Sequence, residues 1–316
     1  MPRPTRDPAA LVEAARSGDR SALARALSLV EQGGEPAREV GRLAHPHGGR
    51  AYTVGVTGAP GGGKSTLVSA LVGVVRAAGE AVAVLAIDPS SPFSGGAILG
   101  DRVRMGDHAL DEGVFIRSMA TRGHLGGLAV AAPEAVRVLA AAGYPWVLLE
   151  TVGVGQVELD VTQTVDTTVV VVNPGWGDDV QAAKAGLLEI ADVHVVNKSD
   201  REGAHKIVSE LREMLRLSHR EAGQWNVPIV QTVAATGAGA PELADRFDEH
   251  RAWMERSGEG LARERRNAAT RIRWMAEELV LERLRPGLPD FDEAVDAVTE
   301  RRCDPVSAAR RLVGRP

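Results

Sequence analysis

The chain has 316 residues and a net charge of −5, with 44% hydrophobic, 25% charged and only 3% aromatic residues. Cys303 is the sole cysteine, which excludes an intrachain disulfide and a cysteine-built zinc site, and the mild acidity gives no reason to expect a nucleic-acid partner. No apolar run is long enough to span a bilayer and no secretory core follows the N-terminus, so the expectation is a cytoplasmic enzyme or switch with no membrane partner and a core of Val, Leu, Ile and Ala.

Residues 7–34 read as two short helices. Asp7 caps the first, with Pro8 at its first helical position; Asp19 begins the second, and Gly33-Gly34 ends the pair. A polar joint follows, in which His45 and His47 have no third ligand nearby. Residues 52–57 form a short buried strand, and 65–78 a helix with Leu67, Leu71, Val74 and Val75 on one side. Between them runs Gly58-Ala59-Pro60-Gly61-Gly62-Gly63-Lys64-Ser65, a match to G-x-x-x-x-G-K-[ST] in the setting that motif requires. Residues 81–88 are a continuous apolar run ending in Asp88; a loop without regular pattern and the stretch 99–105, holding Asp101, come next. Residues 114–117 are a strand candidate, 128–142 a helix, and 146–150 a buried strand ending in Glu150, followed by the loop 151–156. A strand at 168–173, a loop at 174–179 and a helix at 180–191 lead to the strand 193–196, which delivers Asn197-Lys198-Ser199-Asp200. A polar helix at 206–217 and a last strand at 228–233 complete the alternation, which predicts a doubly wound, mainly parallel sheet of P-loop NTPase type. From Ala240 the strand pattern stops, and helices are expected at 261–284, 291–302 and 304–313.

Ligands of open α/β sheets sit at the carboxyl ends of strands, where these motifs fall. The glycines let successive N–H groups face phosphate oxygens, and the following helix adds its positive end. Lys64 is placed to reach the β- and γ-phosphates, and the Ser65 hydroxyl to ligate Mg²⁺. Asp88, Asp101 and Glu150 are the candidate acids for that ion, more than direct coordination needs; one would bind it and the others orient its waters, with Asp101 alternatively an exposed partner of Arg102 or Arg104. In Asn197-Lys198-x-Asp200, the Asp200 carboxylate can accept from both N1–H and the N2 amino group of guanine, whereas adenine would oppose it with a lone pair. Asn197 would hold the base edge or the loop, and the Lys198 stem would cover the base. The Gly153 N–H can contact the γ-phosphate, making 150–156 a nucleotide-sensing switch. Gln156 invites comparison with the water-positioning glutamine of Ras-type GTPases, although there it directly follows the switch glycine. Lys184 is either a catalytic source of positive charge or a helix-surface lysine.

Five blocks occur in one order: Gly58-Ala59-Pro60-Gly61-Gly62-Gly63-Lys64-Ser65-Thr66; Ile87-Asp88-Pro89-Ser90-Ser91-Pro92; the stretch from Gly95 to Met105 with Asp101-Arg102-Val103-Arg104-Met105; Glu150-Thr151-Val152-Gly153-Val154-Gly155-Gln156; and Val196-Asn197-Lys198-Ser199-Asp200. Together they resemble the MeaB/ArgK family of methylmalonyl-CoA-mutase-associated GTPases, among the signal-recognition-like P-loop GTPases. The resemblance implies a GTP-hydrolysing, Mg²⁺-dependent metallochaperone, slow without its partner. Such proteins gate cofactor loading and protect an adenosylcobalamin-dependent acyl-CoA mutase, with the mutase's adenosyltransferase as a further partner. It implies that 58–66 hold phosphates, that Asp88, Asp101 and Glu150 form the magnesium network, and that Asn197, Lys198 and Asp200 read guanine. Residues 173–184 would be an extra switch. Val233-Ala234-Ala235 would occupy the last guanine loop, where Val233 lacks the hydroxyl many relatives carry. It further implies a homodimer formed through a C-terminal arm, and a division into a helical segment (1–44), a GTPase domain (45–256) and that arm (257–316). A rival reading is an ATP-dependent kinase linked to basic amino-acid transport, a label attached to some relatives.

Overall fold

A computed structural model describes residues 6–48, 51–58, 60–89, 108, 110–121, 127–151, 164–175, 188–217 and 223–314. Seven parallel strands form one sheet: β1 (Tyr52–Gly58), β2 (Val82–Pro89), β3 (Val114–Thr121), β4 (Trp146–Thr151), β5 (Thr167–Val172), β6 (Val193–Asn197) and β7 (Ile229–Thr232), in the spatial order β3-β2-β4-β1-β5-β6-β7. The described helices are α1 (Pro8–Arg16), α2 (Arg20–Gln32), α3 (Gly34–Ala44), α4 (Lys64–Ala77), α5 (Gly127–Ala141), α6 (Ala204–Leu217), α7 (Ala240–Ser257), α8 (Glu259–Arg283), α9 (Pro289–Thr299) and α10 (Pro305–Val313).

Both faces of the sheet are covered, which is why its strands read as apolar runs rather than alternations. Side chains alternate across it. Val54, Val56 and Leu148 pack with Leu67, Leu71 and Val75 of α4 and with Leu243, Phe247 and Met254 of α7. Leu85, Ile87, Val147 and Leu149 face the other way, into a core shared with α1, α2, α3 and α5. A third cluster seats Val208 and Leu211 of α6 on Val170, Val172 and Val196.

Two helices were not foreseen in the sequence. Gly33-Gly34 ends α2, but both glycines take positive φ (75° and 73°), so the chain reverses and α3 starts at once. Its buried stripe, Ala37, Val40, Gly41 and Ala44, does recur at helical spacing, but the Gly33-Gly34 pair and Pro36 at its start read as a break rather than as a helix opening. The second is α7, whose buried Leu243, Phe247, His250 and Met254 do recur at helical spacing. Elsewhere the expected elements stand within a few residues of their predicted ends, except that β3 runs on to Thr121. The helix expected at 180–191 falls mostly outside the described residues.

At the amino edge of the sheet a buried polar network fastens α7 and the first turns of α8 to the strands. Arg263 of α8 donates to both oxygens of Asp192 at 2.7 and 2.8 Å, and Asp192 also accepts from the Thr168 N–H at 2.8 Å. His250 of α7 is fully buried, bonds Thr167 Oγ1 through Nδ1 at 2.7 Å, and stacks on Trp253. Thr167 Oγ1 in turn hydrogen-bonds the Tyr52 hydroxyl.

The chain separates into two compact units, residues 1–266 and 267–316. Within the second, α9 and α10 pack through Ala294, Ala297 and Ala308, while Ile272, Leu279, Leu281, Val295 and Val306 remain substantially exposed. Asp304 caps α10 by accepting from the N–H groups of Val306 and Ser307; the Ser307 side chain first, and then these backbone bonds, hold its carboxyl below the usual range.

Candidate functional site

The phosphate-loop sequence sits where the strand–loop–helix order places it, at the carboxyl end of β1. Gly58 closes the strand at φ 134°, and a Cβ there would lie 2.1 Å from the Val171 carbonyl oxygen, so only glycine fits between β1 and β5. Gly63 begins α4 in the left-handed region, at φ 87°. Lys64 and Ser65 are the first residues of that helix, and both are buried. The Lys64 ammonium curls back to donate to the Gly58 carbonyl at 2.8 Å. Ser65 Oγ donates to Glu150 Oε1 at 2.5 Å, joining the helix start to the end of β4. Thr66, one residue on, is exposed, as are Pro60 and Gly61.

The strand ends bring in the second motif. Asn197 closes β6 and is 2% exposed. Its Nδ2 donates to the Gly62 carbonyl at 2.8 Å, while Oδ1 accepts from the Ala234 N–H at 3.0 Å and from Thr232 Oγ1 at 3.1 Å. With a donor and an acceptor at opposite ends, the amide can point only one way. Lys198 adopts φ 56°, and its ammonium donates to the Gly61 carbonyl at 2.7 Å. Asp200 stands exposed in the following turn. Asn197-Lys198 is therefore bonded directly to the phosphate loop, and the 232–235 loop is bonded to Asn197. Thr232 was missed in the sequence: it lies inside an apolar strand, and nothing in its spacing marks it as an anchor for Asn197. In the loop beyond, the Val233 N–H is used by Ala238, the Ala234 N–H by Asn197, and Ala235 is exposed.

Asp88 lies in β2, two residues past Ala86, which is in register with Glu150 on β4. That puts the backbones of Asp88 and Glu150 at the same edge. Ala59, Asp101, Gly153, Gln156 and Lys184 lie outside the described residues.

A profile described as methylmalonyl-CoA mutase-associated GTPase MeaB matches residues 23–287. The chain belongs to the MeaB family. A protein of Pyrococcus abyssi assigned as a GTPase is 48% identical over 308 residues, covering 96% of this chain and 95% of the relative. The mouse protein named methylmalonic aciduria type A homolog, mitochondrial, is 35% identical over 84% of this chain and 68% of its own length. A crystal structure titled LAO/AO transport system kinase superposes with a TM-score of 0.72 at 29% identity, covering 99% of this chain and 98% of that one. The fold is thus that of the P-loop GTPases, and this MeaB-family protein is an enzyme that hydrolyses GTP to GDP and phosphate. Among the described residues no helix is long and apolar enough to cross a membrane.

Proposed function

We propose that this GTPase serves an adenosylcobalamin-dependent acyl-CoA mutase, methylmalonyl-CoA mutase or a close relative, as a metallochaperone. Its nucleotide state gates cofactor loading and protects the loaded enzyme, with the adenosyltransferase as a further partner. The observation that carries the reading is the match of a mutase-associated family over residues 23–287 of a chain whose two nucleotide motifs are bonded into one site. The mouse relative's name, which refers to methylmalonic aciduria, points the same way.

In this reading Gly58, Ala59, Pro60, Gly61, Gly62, Gly63 and Thr66 cradle phosphates together with the N-terminus of α4. Lys64 exchanges the Gly58 carbonyl for β- and γ-phosphate oxygens. The Ser65 hydroxyl and the Glu150 carboxylate, 2.5 Å apart and both buried, are an all-oxygen donor pair of the kind Mg²⁺ takes while keeping several waters. When bound, the ion neutralises charge developing at the transferred phosphoryl group. Asp88 and Asp101 orient its waters. Water attacks the γ-phosphorus and the bond to the β–γ bridging oxygen breaks, while Lys64 and loop N–H groups, joined by Gly153 and Lys184, stabilise the charge. Asp200 reads guanine, Lys198 lies along the base, and Asn197 fixes both to the loop. Of Val233, Ala234 and Ala235, the first two have committed N–H groups, so Ala235 donates to the guanine oxygen. The exposed apolar residues of 267–316 supply a homodimer contact.

The test is capture of the mutase from the source cell on protein loaded with GTP or with GDP, with the bound enzyme identified by mass spectrometry. Enrichment of an acyl-CoA mutase in one nucleotide state is expected; none in either state overturns the proposal. The solved relative's title names a transport-system kinase. That alternative predicts preference for ATP and phosphate transfer to an acceptor, and nucleotide competition separates the two.

A further inference from the structure

The β1–β4 ladder stops short of the site. Its last registered pair is Val56 with Glu150. Beyond that level β1 stays paired only with β5, to Gly58 opposite Val171, and β4 stays paired with β2, to Thr151 opposite Ile87. The two strands that carry the phosphate loop and Glu150 therefore lose their mutual backbone bonds just where their side chains must be held in place. Among the described residues, a side-chain bond spans the gap: Thr151 Oγ1 donates to Thr57 Oγ1 at 2.9 Å. The hydroxyls lie on the opposite face from Glu150 and Ser65, on the side of Leu149 and Ile87, with 0% and 1% exposure.

A valine pair would fill the same volume in this apolar layer without burying hydroxyls. A buried hydroxyl is tolerated only when bonded, and a bonded pair fixes a direction that apolar contact does not. From this geometry we infer that Thr57 and Thr151 are positioning residues for GTP hydrolysis. They pin the end of β4 to the base of the phosphate loop and so set the spacing of Glu150 from Ser65. Neither touches nucleotide. The inference rests on reading Glu150 and Ser65 as the metal end of the site.

The test uses the full-length chain with Thr151→Val, Thr57→Val, the double variant and Thr151→Ser. Steady-state GTP hydrolysis is read against Mg²⁺ concentration, GDP affinity by calorimetry, and folding by thermal melting. Both valine variants should turn over about fivefold or more slowly and need more Mg²⁺ for half-maximal rate, with GDP affinity within about twofold of the parent. The double variant should be no slower than the poorer single one, because both substitutions remove the same bond. Thr151→Ser, which keeps the hydroxyl, should restore the rate. An unchanged rate and Mg²⁺ requirement in folded Thr151→Val overturns the inference. So does a serine variant as slow as the valine one, or a GDP affinity that falls in step with the rate. Should Thr151→Val fail to fold, Thr57→Val carries the same readings. A parent protein that neither binds nor hydrolyses GTP would instead sink the site assignment itself.

Discussion

Replacing Gly63 with alanine tests whether the two nucleotide motifs are one mechanical piece. A Cβ on Gly63 would lie 2.4 Å from Asn197 Nδ2, and the residue has φ 87°; Gly61 has φ 73° but nothing within 4 Å of its Cβ. Alanine in the left-handed region costs about 1–2 kcal/mol at either position. The narrowing of the unfolded ensemble by about 0.4–1 kcal/mol is common to both and cancels in their difference. At Gly63 alone, Asn197 must also be pushed off the Gly62 carbonyl, leaving buried polar atoms unsatisfied at about 1–3 kcal/mol. Gly63→Ala should therefore be the more destabilising by about 1–3 kcal/mol in urea unfolding at matched m values. GDP affinity should fall with it, by up to about a hundredfold if the whole penalty is felt in binding. In an Asn197→Ala background the extra cost should vanish, leaving Gly63→Ala equal to Gly61→Ala. Equal penalties in the parent, or an undiminished excess in that background, would refute the reasoning.

Asp200→Ala should abolish the preference for guanine over adenine nucleotides in competition binding while leaving unfolding within about 0.5 kcal/mol, since Asp200 is exposed. Thr232→Val removes a hydroxyl that Asn197 accepts from and should cost about 0.5–1.5 kcal/mol of stability and weaken GDP in calorimetry; unchanged affinity would mean the Ala234 N–H alone holds Asn197. Burial pushes His250 down to about 4, with Asp192 opposing and Arg263 reinforcing that shift. Since the unfolded imidazole titrates near 6.5, the unfolded state binds the extra proton between those values, so stability is full above pH 6.5 and declines as pH falls toward 4. The loss attributable to His250 amounts to about 3 kcal/mol. Urea unfolding at pH 7.5, 6 and 5 should show a steeper acid decline for the parent than for His250→Gln; parallel curves would contradict this. Glu150→Gln should raise the Mg²⁺ required for hydrolysis by about tenfold while leaving GDP bound, because the amide keeps a partner for Ser65 but not the charge.

The sheet was legible because buried parallel strands announce themselves as short apolar runs ending in polar punctuation, and six strand ends fell where the residues said. The phosphate loop and Asn197-Lys198-x-Asp200 were legible as motifs, and topology alone predicted that they share an edge. Their direct bonding was not readable: Asn197 and Lys198 donate to the carbonyls of Gly62 and Gly61, and no spacing encodes a backbone acceptor more than a hundred residues away. Nor was α3: its stripe of Ala37, Val40, Gly41 and Ala44 has helical spacing, but it follows directly on Gly33-Gly34 and Pro36, which read as punctuation. The amino-edge network stayed hidden because Asp192 stands before β6, far in sequence from His250 and Arg263 on the successive helices α7 and α8, and each looks like a surface residue taken alone.

The helices that precede the nucleotide motifs have a consequence for how the protein can be handled. Leu11, Leu23, Leu27 and Val40 lie in the same interior as Leu85, Ile87, Met119 and Leu149. A version beginning at the phosphate-loop strand would keep α5 over those sheet residues but strip the rest of their cover, and at about 1.5–3 kcal/mol for each large aliphatic side chain the deficit is comparable with the whole stability of about 5–15 kcal/mol that a domain holds. α1–α3 complete the layer that α5 begins, so removing them should yield a protein prone to aggregate rather than a minimal enzyme.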